Sequence, residues 1–233
     1  MGKLYGVSVG AGDPQLMTLK AVSIIEKCGV IAVPRTNAES SLALSIAEQA
    51  VDLSGKRKLY FDFPMTTDRD ELEKNYSAIA DKLCGELENN DAAFLTLGDI
   101  SVYSTFSHIG SLVEKRGFEV EICAGVTSFS AAAALLREPL CLGDEELHII
   151  PYSCGDIEKA LELSGTKVIM KAGRRAEKLI DLIKAKGLSE HTMIVADCGL
   201  ADEKVYHSVD SVKSELGYFT LFIVTDRENF HEA

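Results

Sequence analysis

The residues best placed to do chemistry follow one apolar stretch near the middle of the chain. Residues 92–97 read Ala-Ala-Phe-Leu-Thr-Leu, which is typical of a strand buried on both faces. Gly98 and Asp99 end this stretch, and an amphipathic segment begins near Ser104. Because open α/β sheets bind ligands beyond the carboxyl ends of their strands, we expect a site here. Gly98 lets a ligand approach the backbone, and Asp99 supplies a carboxylate, although it can equally cap the following helix.

The composition limits the classes of protein to consider. The chain has 233 residues, enough for one large domain or two smaller ones. Its formal net charge of −12 argues against nucleic acid as a partner, since a phosphate backbone needs a basic face. We expect no membrane partner, because no apolar run has the length of a membrane span, and no signal peptide after Met1. The six cysteines lie far apart, which favours reduced thiols and a cytoplasmic protein.

Hydrophobic periodicity predicts strands and helices in alternation through the first half of the chain, as in a doubly wound parallel sheet. The predicted strands lie at 4–9, 30–34, 58–63, 92–97 and 119–123. Strand candidates of the second half are 147–151, 167–170, 192–196, 205–208 and 219–224, with helices at 157–163 and 176–186. Its last three strands follow without long helices, which favours a mixed sheet. We therefore predict two α/β domains, at residues 1–118 and 119–233, with a ligand site in the cleft between them.

Three familiar site patterns are incomplete in this chain. Gln15 stands where a dinucleotide fingerprint after the first strand needs its third glycine, and Asp13 adds unfavourable charge, so we expect no NAD. The turn at Gly125 lacks the Gly-x-Ser-x-Gly sequence of a nucleophile elbow, which argues against a serine hydrolase. The five histidines are scattered, so we expect no metal site.

Three of the loops at predicted strand ends carry longer motifs. They read Gly-Val-Ser-Val-Gly-Ala-Gly-Asp-Pro-Gln-Leu-Met-Thr-Leu-Lys-Ala at 6–21, Leu-Gly-Asp-Ile-Ser-Val-Tyr-Ser-Thr at 97–105 and Ala-Gly-Val-Thr-Ser-Phe-Ser-Ala at 124–131. Val-Ile-Met at 168–170 and the apolar strand at 218–224 follow these motifs along the chain. Taken together and in this order, the five segments resemble the tetrapyrrole methylase family, the class III S-adenosylmethionine-dependent methyltransferases. The Gly-Asp-Pro loop of that family reads Gly-Asp-Ile here.

The resemblance implies S-adenosyl-L-methionine as cofactor, bound folded between two domains, S-adenosyl-L-homocysteine as product, and a homodimer. Within the family, Val33-Pro34-Arg35 and the Gly-Asp-x-x-x-Tyr-Ser-Thr pattern look most like the enzymes that methylate C20 of precorrin-2 or cobalt-factor II on the route to cobalamin. The matched motif positions imply cofactor contacts at Ala11, Leu97, Gly98, Asp99, Val102, Thr127, Ser128, Met170 and Gly199.

Methyl transfer to a tetrapyrrole carbon mainly needs alignment and exclusion of water. A carboxylate can stabilise charge on the macrocycle or accept a proton, so Asp99 is the candidate catalytic group, with Tyr103 as the second. A tetrapyrrole carries several carboxylates and this chain is acidic, so local cations must bind the substrate. Arg35, expected to face the same crevice as Asp99, and Lys171 are the candidates.

Two other functions remain open at this point. The first is another methyltransferase of the same class, such as a diphthine synthase or a ribosomal-RNA ribose methylase, although the net charge of −12 argues against the RNA enzyme. The second is a non-catalytic nucleotide-binding module. The sequence also leaves open whether the tetrapyrrole is metal-free or loaded with cobalt.

Overall fold

The computed structural model describes residues 1–35, 41–64, 66–153 and 155–227, without the side chain of Arg174. The chain divides into two compact units, Met1–Ser128 and Phe129–Ala233. The predicted boundary at residue 118 therefore lies too early. Residues 119–123 form a strand that pairs with the first strand of the chain, from Lys3 with Glu119 to Val7 with Cys123, and so belong to the first sheet.

The first unit is built on one parallel sheet, as predicted. Its strands are β1 (Lys3–Ser8), β2 (Val30–Arg35), β3 (Arg57–Asp62), β4 (Ala92–Thr96) and β5 (Glu119–Cys123), in the spatial order β3-β2-β4-β1-β5. The helices between them are α1 (Leu19–Lys27), α2 (Leu42–Ala50), α3 (Arg69–Leu87) and α4 (Phe106–Lys115). Thr18, Ser41 and Asp68 cap α1, α2 and α3 by accepting hydrogen bonds from backbone N–H groups.

Both faces of this sheet are covered, which explains why the central strand β4 is apolar from Ala92 to Leu95. Helices α1 and α2 pack on one face, where Val33 and Leu95 are buried. Helices α3 and α4 pack on the other face, where Ala32 and Phe94 are buried. The loops that follow β1 and β4 therefore lead to helices on opposite faces, although the two strands are neighbours in the sheet.

The second unit has a mixed sheet, which confirms the prediction. Its strands are β6 (Leu147–Pro151), β7 (Thr166–Met170), β8 (Thr192–Ala196), β9 (Lys204–Tyr206) and β10 (Thr220–Val224), in the order β6-β7-β10-β8-β9. Strand β10 runs antiparallel to β7 and β8, β9 runs antiparallel to β8, and β6 runs parallel to β7.

Among the described residues, the helices that accompany the second sheet are α5 (Ser128–Leu136), α6 (Ile157–Ala160) and α7 (Ala176–Ala185). Helix α6 is shorter than the predicted helix at 157–163, and the strand expected at 205–208 lies one residue earlier, at Lys204–Tyr206. In the part of the chain that the structure describes, no helix combines the length and apolar character needed to cross a membrane.

Candidate functional site

Two glycines join the loops that follow β1 and β4. The Gly10 N–H donates to the Gly98 carbonyl at 3.3 Å, and the Gly98 N–H donates to the Gly10 carbonyl at 2.7 Å. Both residues have positive φ, 75° and 73°, which glycine adopts without strain. This bridge lies at the carboxyl edge of the sheet, where the two loops part towards opposite faces. Such a divergence is the position at which open α/β sheets bind ligands.

Gly98 is buried, but the direction that a side chain would take there is unobstructed. Apart from Gly98 and its two chain neighbours, no described residue has an atom within 4 Å of the position that a Cβ would take there. Leu97 and Val102, predicted cofactor contacts on either side, are half-buried, and Ala11 in the facing loop is buried. A ligand at this place meets peptide N–H and carbonyl groups, with small apolar side chains beside them.

Asp99 ties this loop to the loop that follows β5. Its Oδ2 accepts a hydrogen bond from the Gly125 N–H at 2.6 Å, and its Oδ1 accepts from the Ser101 N–H at 2.8 Å and from the Ser101 hydroxyl. Burial by itself raises the pKa of the Asp99 carboxyl, but the hydrogen bonds from Gly125 and Ser101 outweigh it and hold the pKa below its usual value. Asp99 does not cap α4, because Ser104 accepts from the first N–H of that helix.

Ser8 is a buried residue of this site that the sequence reasoning missed. Its hydroxyl donates to the Cys123 carbonyl at 2.8 Å and accepts from the Ile100 N–H at 2.9 Å. The side chain is fully buried, so both bonds are shielded from water. One hydroxyl thus connects the ends of β1 and β5 with the loop after β4. The signal in the sequence was a single serine at the end of an otherwise apolar strand.

Gly125 fits this arrangement only as glycine. A Cβ at this position would lie 2.3 Å from the Ser8 Cβ and 2.9 Å from the Gly98 carbonyl oxygen. Thr127 and Ser128, two predicted cofactor contacts, come two and three residues after Gly125, and Ser128 begins α5. The hydrogen bond from Gly125 to Asp99 therefore fixes the beginning of the segment that carries these two hydroxyl groups.

Tyr103 follows the Asp99 loop in an unusual backbone conformation. Its φ of 51° is uncommon for a residue with a side chain, and such conformations concentrate at functional sites. The ring is 45% exposed, in contrast to the buried Asp99 carboxylate. Of the two predicted catalytic residues, Tyr103 is thus the one whose side chain lies at the surface.

Arg35 lies at the same edge of the sheet as Asp99 but points elsewhere. Its Nε and Nη2 donate to Oδ1 and Oδ2 of Asp62 on the neighbouring strand, both at 3.0 Å. Strand β2 pairs with β3 through Arg35, whereas its pairing with β4 ends at Ala32. Arg35 also lies two residues after Val33, on the face of the sheet that α1 and α2 cover. The expectation that it faces a crevice shared with Asp99 finds no support in this geometry.

The predicted site residues of the second unit lie at the ends of β7 and β8. Met170 ends β7, and Lys171 follows with a φ of 59° and a pKa lowered by burial. Asp197 follows β8 with a φ of 52°, and burial raises the pKa of its carboxyl. Gly199 donates its N–H to Glu203 Oε2 at 2.7 Å. Two non-glycine residues with positive φ, at strand ends separated only by β10, mark this edge of the second sheet.

The edge of the first sheet suits binding and orientation of a small polar molecule. It offers backbone groups, short hydroxyl side chains and one carboxylate held in its ionised form. Among the described residues, no group of three histidine, cysteine or carboxylate side chains is arranged to hold a metal ion.

Comparison with known proteins gives the family. Residues 3–211 match the model of the Tetrapyrrole (Corrin/Porphyrin) Methylases. The chain is 40% identical over 178 residues to a probable cobalt-precorrin-2 C(20)-methyltransferase of Methanocaldococcus jannaschii, covering 76% of this chain and 75% of that protein. It is 30% identical to the cobalt-precorrin-2 C(20)-methyltransferase of Salmonella typhimurium, over 99% of both chains.

The fold agrees with this assignment. A crystal structure of uroporphyrin-III C-methyltransferase from Thermus thermophilus, complexed with S-adenosylhomocysteine, superposes with a TM-score of 0.69 at 20% identity, covering 97% of this chain and 98% of that one. The family predicted from the three loop motifs is thereby confirmed. The chain belongs to the tetrapyrrole (corrin/porphyrin) methylases.

Proposed function

We propose that this protein transfers a methyl group from S-adenosyl-L-methionine to C20 of precorrin-2 or of its cobalt complex, in the biosynthesis of cobalamin. The observation that carries the proposal is the 40% identity to a relative named for this reaction on cobalt-precorrin-2. A second relative with the same name matches 99% of the chain, so the similarity extends over both units. The joined loops at the carboxyl edge of the first sheet supply a suitable place for the cofactor.

The residues of these loops fit the cofactor. Its ribose and amino-acid parts present hydroxyl, ammonium and carboxylate groups, which backbone N–H and carbonyl groups recognise well. The space beside Gly98 leaves room for such groups, because no Cβ occupies it. In this proposal Leu97, Gly98 and Val102 contact the cofactor in the first unit, together with Ala11, Asp99, Thr127 and Ser128. Met170 and Gly199 are the corresponding contacts of the second unit.

Bound S-adenosyl-L-methionine supplies a methyl group on a sulfonium, which is already a strong electrophile. The task of the chain is then to hold the reactants in line and to exclude water. Asp99 contributes by fixing two loops, because both of its oxygens already accept hydrogen bonds from Gly125 and Ser101. Its retained negative charge also favours positive charge that develops nearby. Tyr103, whose ring is exposed, is the side chain that we propose to contact the macrocycle.

We propose Arg35 and Lys171 as the groups that bind substrate carboxylates. Arg35 has the forked guanidinium that matches a carboxylate, although in the structure this fork is occupied by Asp62 and does not face Asp99. Lys171 is half-buried, and burial lowers its pKa, so a substrate carboxylate would restore its preference for the charged form. Each of these cations would supply the local positive charge that an acidic substrate needs on a chain with a net charge of −12.

A mass measurement tests the proposed reaction. The purified protein is incubated under anaerobic conditions with S-adenosyl-L-methionine and either precorrin-2 or its cobalt complex. We expect the mass of one of these tetrapyrroles to increase by one methyl group, with fragmentation that places the group at C20. An unchanged mass of both tetrapyrroles would contradict the proposal, and uroporphyrinogen III serves as the control substrate.

We further propose that the protein is a cytoplasmic homodimer. The cysteines at 28, 84, 123, 141 and 198 are free thiols, which suits a reducing compartment. The rings of Tyr218 and Phe219 are about half exposed and pack edge to face, the kind of apolar surface that an interface covers. Light scattering at micromolar concentration should give twice the chain mass of 25.3 kDa. A single species at the chain mass itself would be inconsistent with the dimer.

A further inference from the structure

The guanidinium of Arg35 is held by a carboxylate of the chain itself. Nε and Nη2 of Arg35 donate in parallel to the two oxygens of Asp62, both at 3.0 Å. This bidentate geometry is the one in which arginine binds a free carboxylate of a ligand. Asp62 thus takes the position that a substrate carboxylate would take.

The contact between Arg35 and Asp62 is one that can be exchanged. The Asp62 side chain is 70% exposed and that of Arg35 is 25% exposed. Ion pairs this close to water contribute little free energy, since water solvates both charges when they separate. Replacing Asp62 by another carboxylate therefore costs little.

Two further contacts hold the Arg35 side chain and the Asp62 backbone in position while one carboxylate replaces the other. The Arg35 guanidinium lies 5.0 Å from the centroid of the Tyr60 ring, so the ring supports its orientation without Asp62. The Asn75 side-chain amide donates to the Asp62 backbone carbonyl at 3.1 Å. The backbone at Asp62 stays anchored to α3 when its carboxylate turns away.

We propose that Asp62 occupies the guanidinium of Arg35 in place of a substrate carboxylate. When the substrate binds, its carboxylate replaces that of Asp62. This inference rests on the proposed function, because it takes the ligand to be a tetrapyrrole with carboxylate side chains. Asp62 then acts as a specificity residue. A ligand gains the Arg35 guanidinium only if it presents a carboxylate that replaces both hydrogen bonds at once.

The test compares Asp62→Asn with a matched control, Asp81→Asn. Asp81 pairs with Arg116 at 2.8 Å, and the two side chains are 65% and 26% exposed, close to the values of the Asp62–Arg35 pair. Both substitutions remove one negative charge from an exposed ion pair, so a general charge effect appears in both. We expect Asp62→Asn to lower the Michaelis constant for the tetrapyrrole by about two- to fivefold, with the turnover number and the constant for S-adenosyl-L-methionine unchanged. Asp81→Asn should change none of these.

A double-mutant cycle with Arg35 isolates the pair. We expect Arg35→Ala alone to raise the Michaelis constant for the tetrapyrrole by about tenfold or more, the effect of a lost charge-assisted hydrogen bond. In the Arg35→Ala background, Asp62→Asn should have no further effect, because the guanidinium that Asp62→Asn would make available to the substrate is absent. The inference is overturned if Asp62→Asn behaves like Asp81→Asn, or if it raises the constant as Arg35→Ala does.

Binding of uroporphyrin, a stable planar tetrapyrrole with carboxylate side chains, separates this inference from the proposed function. Fluorescence titration should show tighter binding to Asp62→Asn than to the wild type, and no such gain without Arg35. If this result holds while the wild type methylates no tetrapyrrole, the inference stands and the proposed function fails. If methylation occurs and Asp62→Asn changes neither the Michaelis constant nor uroporphyrin binding, the inference fails and the proposed function stands.

Discussion

Replacing Gly125 by alanine will weaken the binding of S-adenosyl-L-homocysteine by about ten- to a hundredfold and destabilise the folded protein by about 1–3 kcal/mol. The new Cβ would lie 2.3 Å from the Ser8 Cβ and 2.9 Å from the Gly98 carbonyl oxygen. Neither neighbour can turn away, because Ser8 is a buried strand residue and the other contact is a backbone atom. The strand ends must therefore move apart, and the proposed cofactor loops move with them. Isothermal titration calorimetry and urea unfolding measure the two effects.

Gly85→Ala is the matched control for this substitution. Gly85 lies within α3, and apart from its chain neighbours and the adjacent helix backbone no described atom lies within 4 Å of its Cβ position. Alanine there should stabilise the helix by up to about 1 kcal/mol and leave the affinity for S-adenosyl-L-homocysteine unchanged. If Gly125→Ala bound this ligand as tightly as Gly85→Ala, the loop after β5 would have no part in the cofactor site.

The second large effect is expected for Asp99→Asn. The amide places a donor opposite the N–H of Gly125 or the donors of Ser101, so at least one charge-assisted hydrogen bond is lost. We expect a loss of about 1.5–3 kcal/mol in the free energy of unfolding at pH 7 and about a tenfold weaker affinity for S-adenosyl-L-homocysteine. If Asp99 instead acts mainly as a proton acceptor, the turnover number will fall while this affinity stays unchanged. Calorimetry and steady-state kinetics on one preparation distinguish the two roles.

Asp52→Asn is the control for Asp99→Asn. Asp52 Oδ1 accepts from the Ser54 N–H at 2.8 Å, as Asp99 Oδ1 accepts from the Ser101 N–H, but Asp52 lies in an exposed turn. The same chemical change outside the site should leave the affinity for S-adenosyl-L-homocysteine unaltered. Equal losses of affinity in both variants would show that the effect of Asp99→Asn is not specific to the loops.

The contribution of Asp99 to stability should also depend on pH. Folding lowers the pKa of this carboxyl because, against the opposing effect of burial, hydrogen bonds from Gly125 and Ser101 favour the ionised form. Its stabilisation is then complete above the unfolded pKa of about 3.9 and is lost as the pH falls through the folded pKa. The difference in unfolding free energy between the wild type and Asp99→Asn should therefore shrink below about pH 4.

The local structure of the site was determined by the sequence itself. The apolar run at 92–97 followed by Gly98 and Asp99 predicts a buried strand and a ligand loop, because burial on both faces requires continuous apolar residues. The strand at 119–123 was predicted with its observed bounds, because polar and apolar residues alternate there with the period of a strand and not that of a helix. The motifs at 6–21, 97–105 and 124–131, in this order and together with the segments at 168–170 and 218–224, were enough to identify the family.

Side-chain partners were decided only by the tertiary structure. The sheet order β3-β2-β4-β1-β5 brings together strands that are not consecutive in the chain, and hydrophobic periodicity carries no information about this order. For this reason the sequence could not give Gly125 as the donor to Asp99. Arg35 and Asp62 lie on consecutive strands, but the register that sets them side by side is also not contained in the periodicity. Ser8 became a site residue only because β1 lies between β4 and β5, where one buried hydroxyl reaches both neighbouring loops.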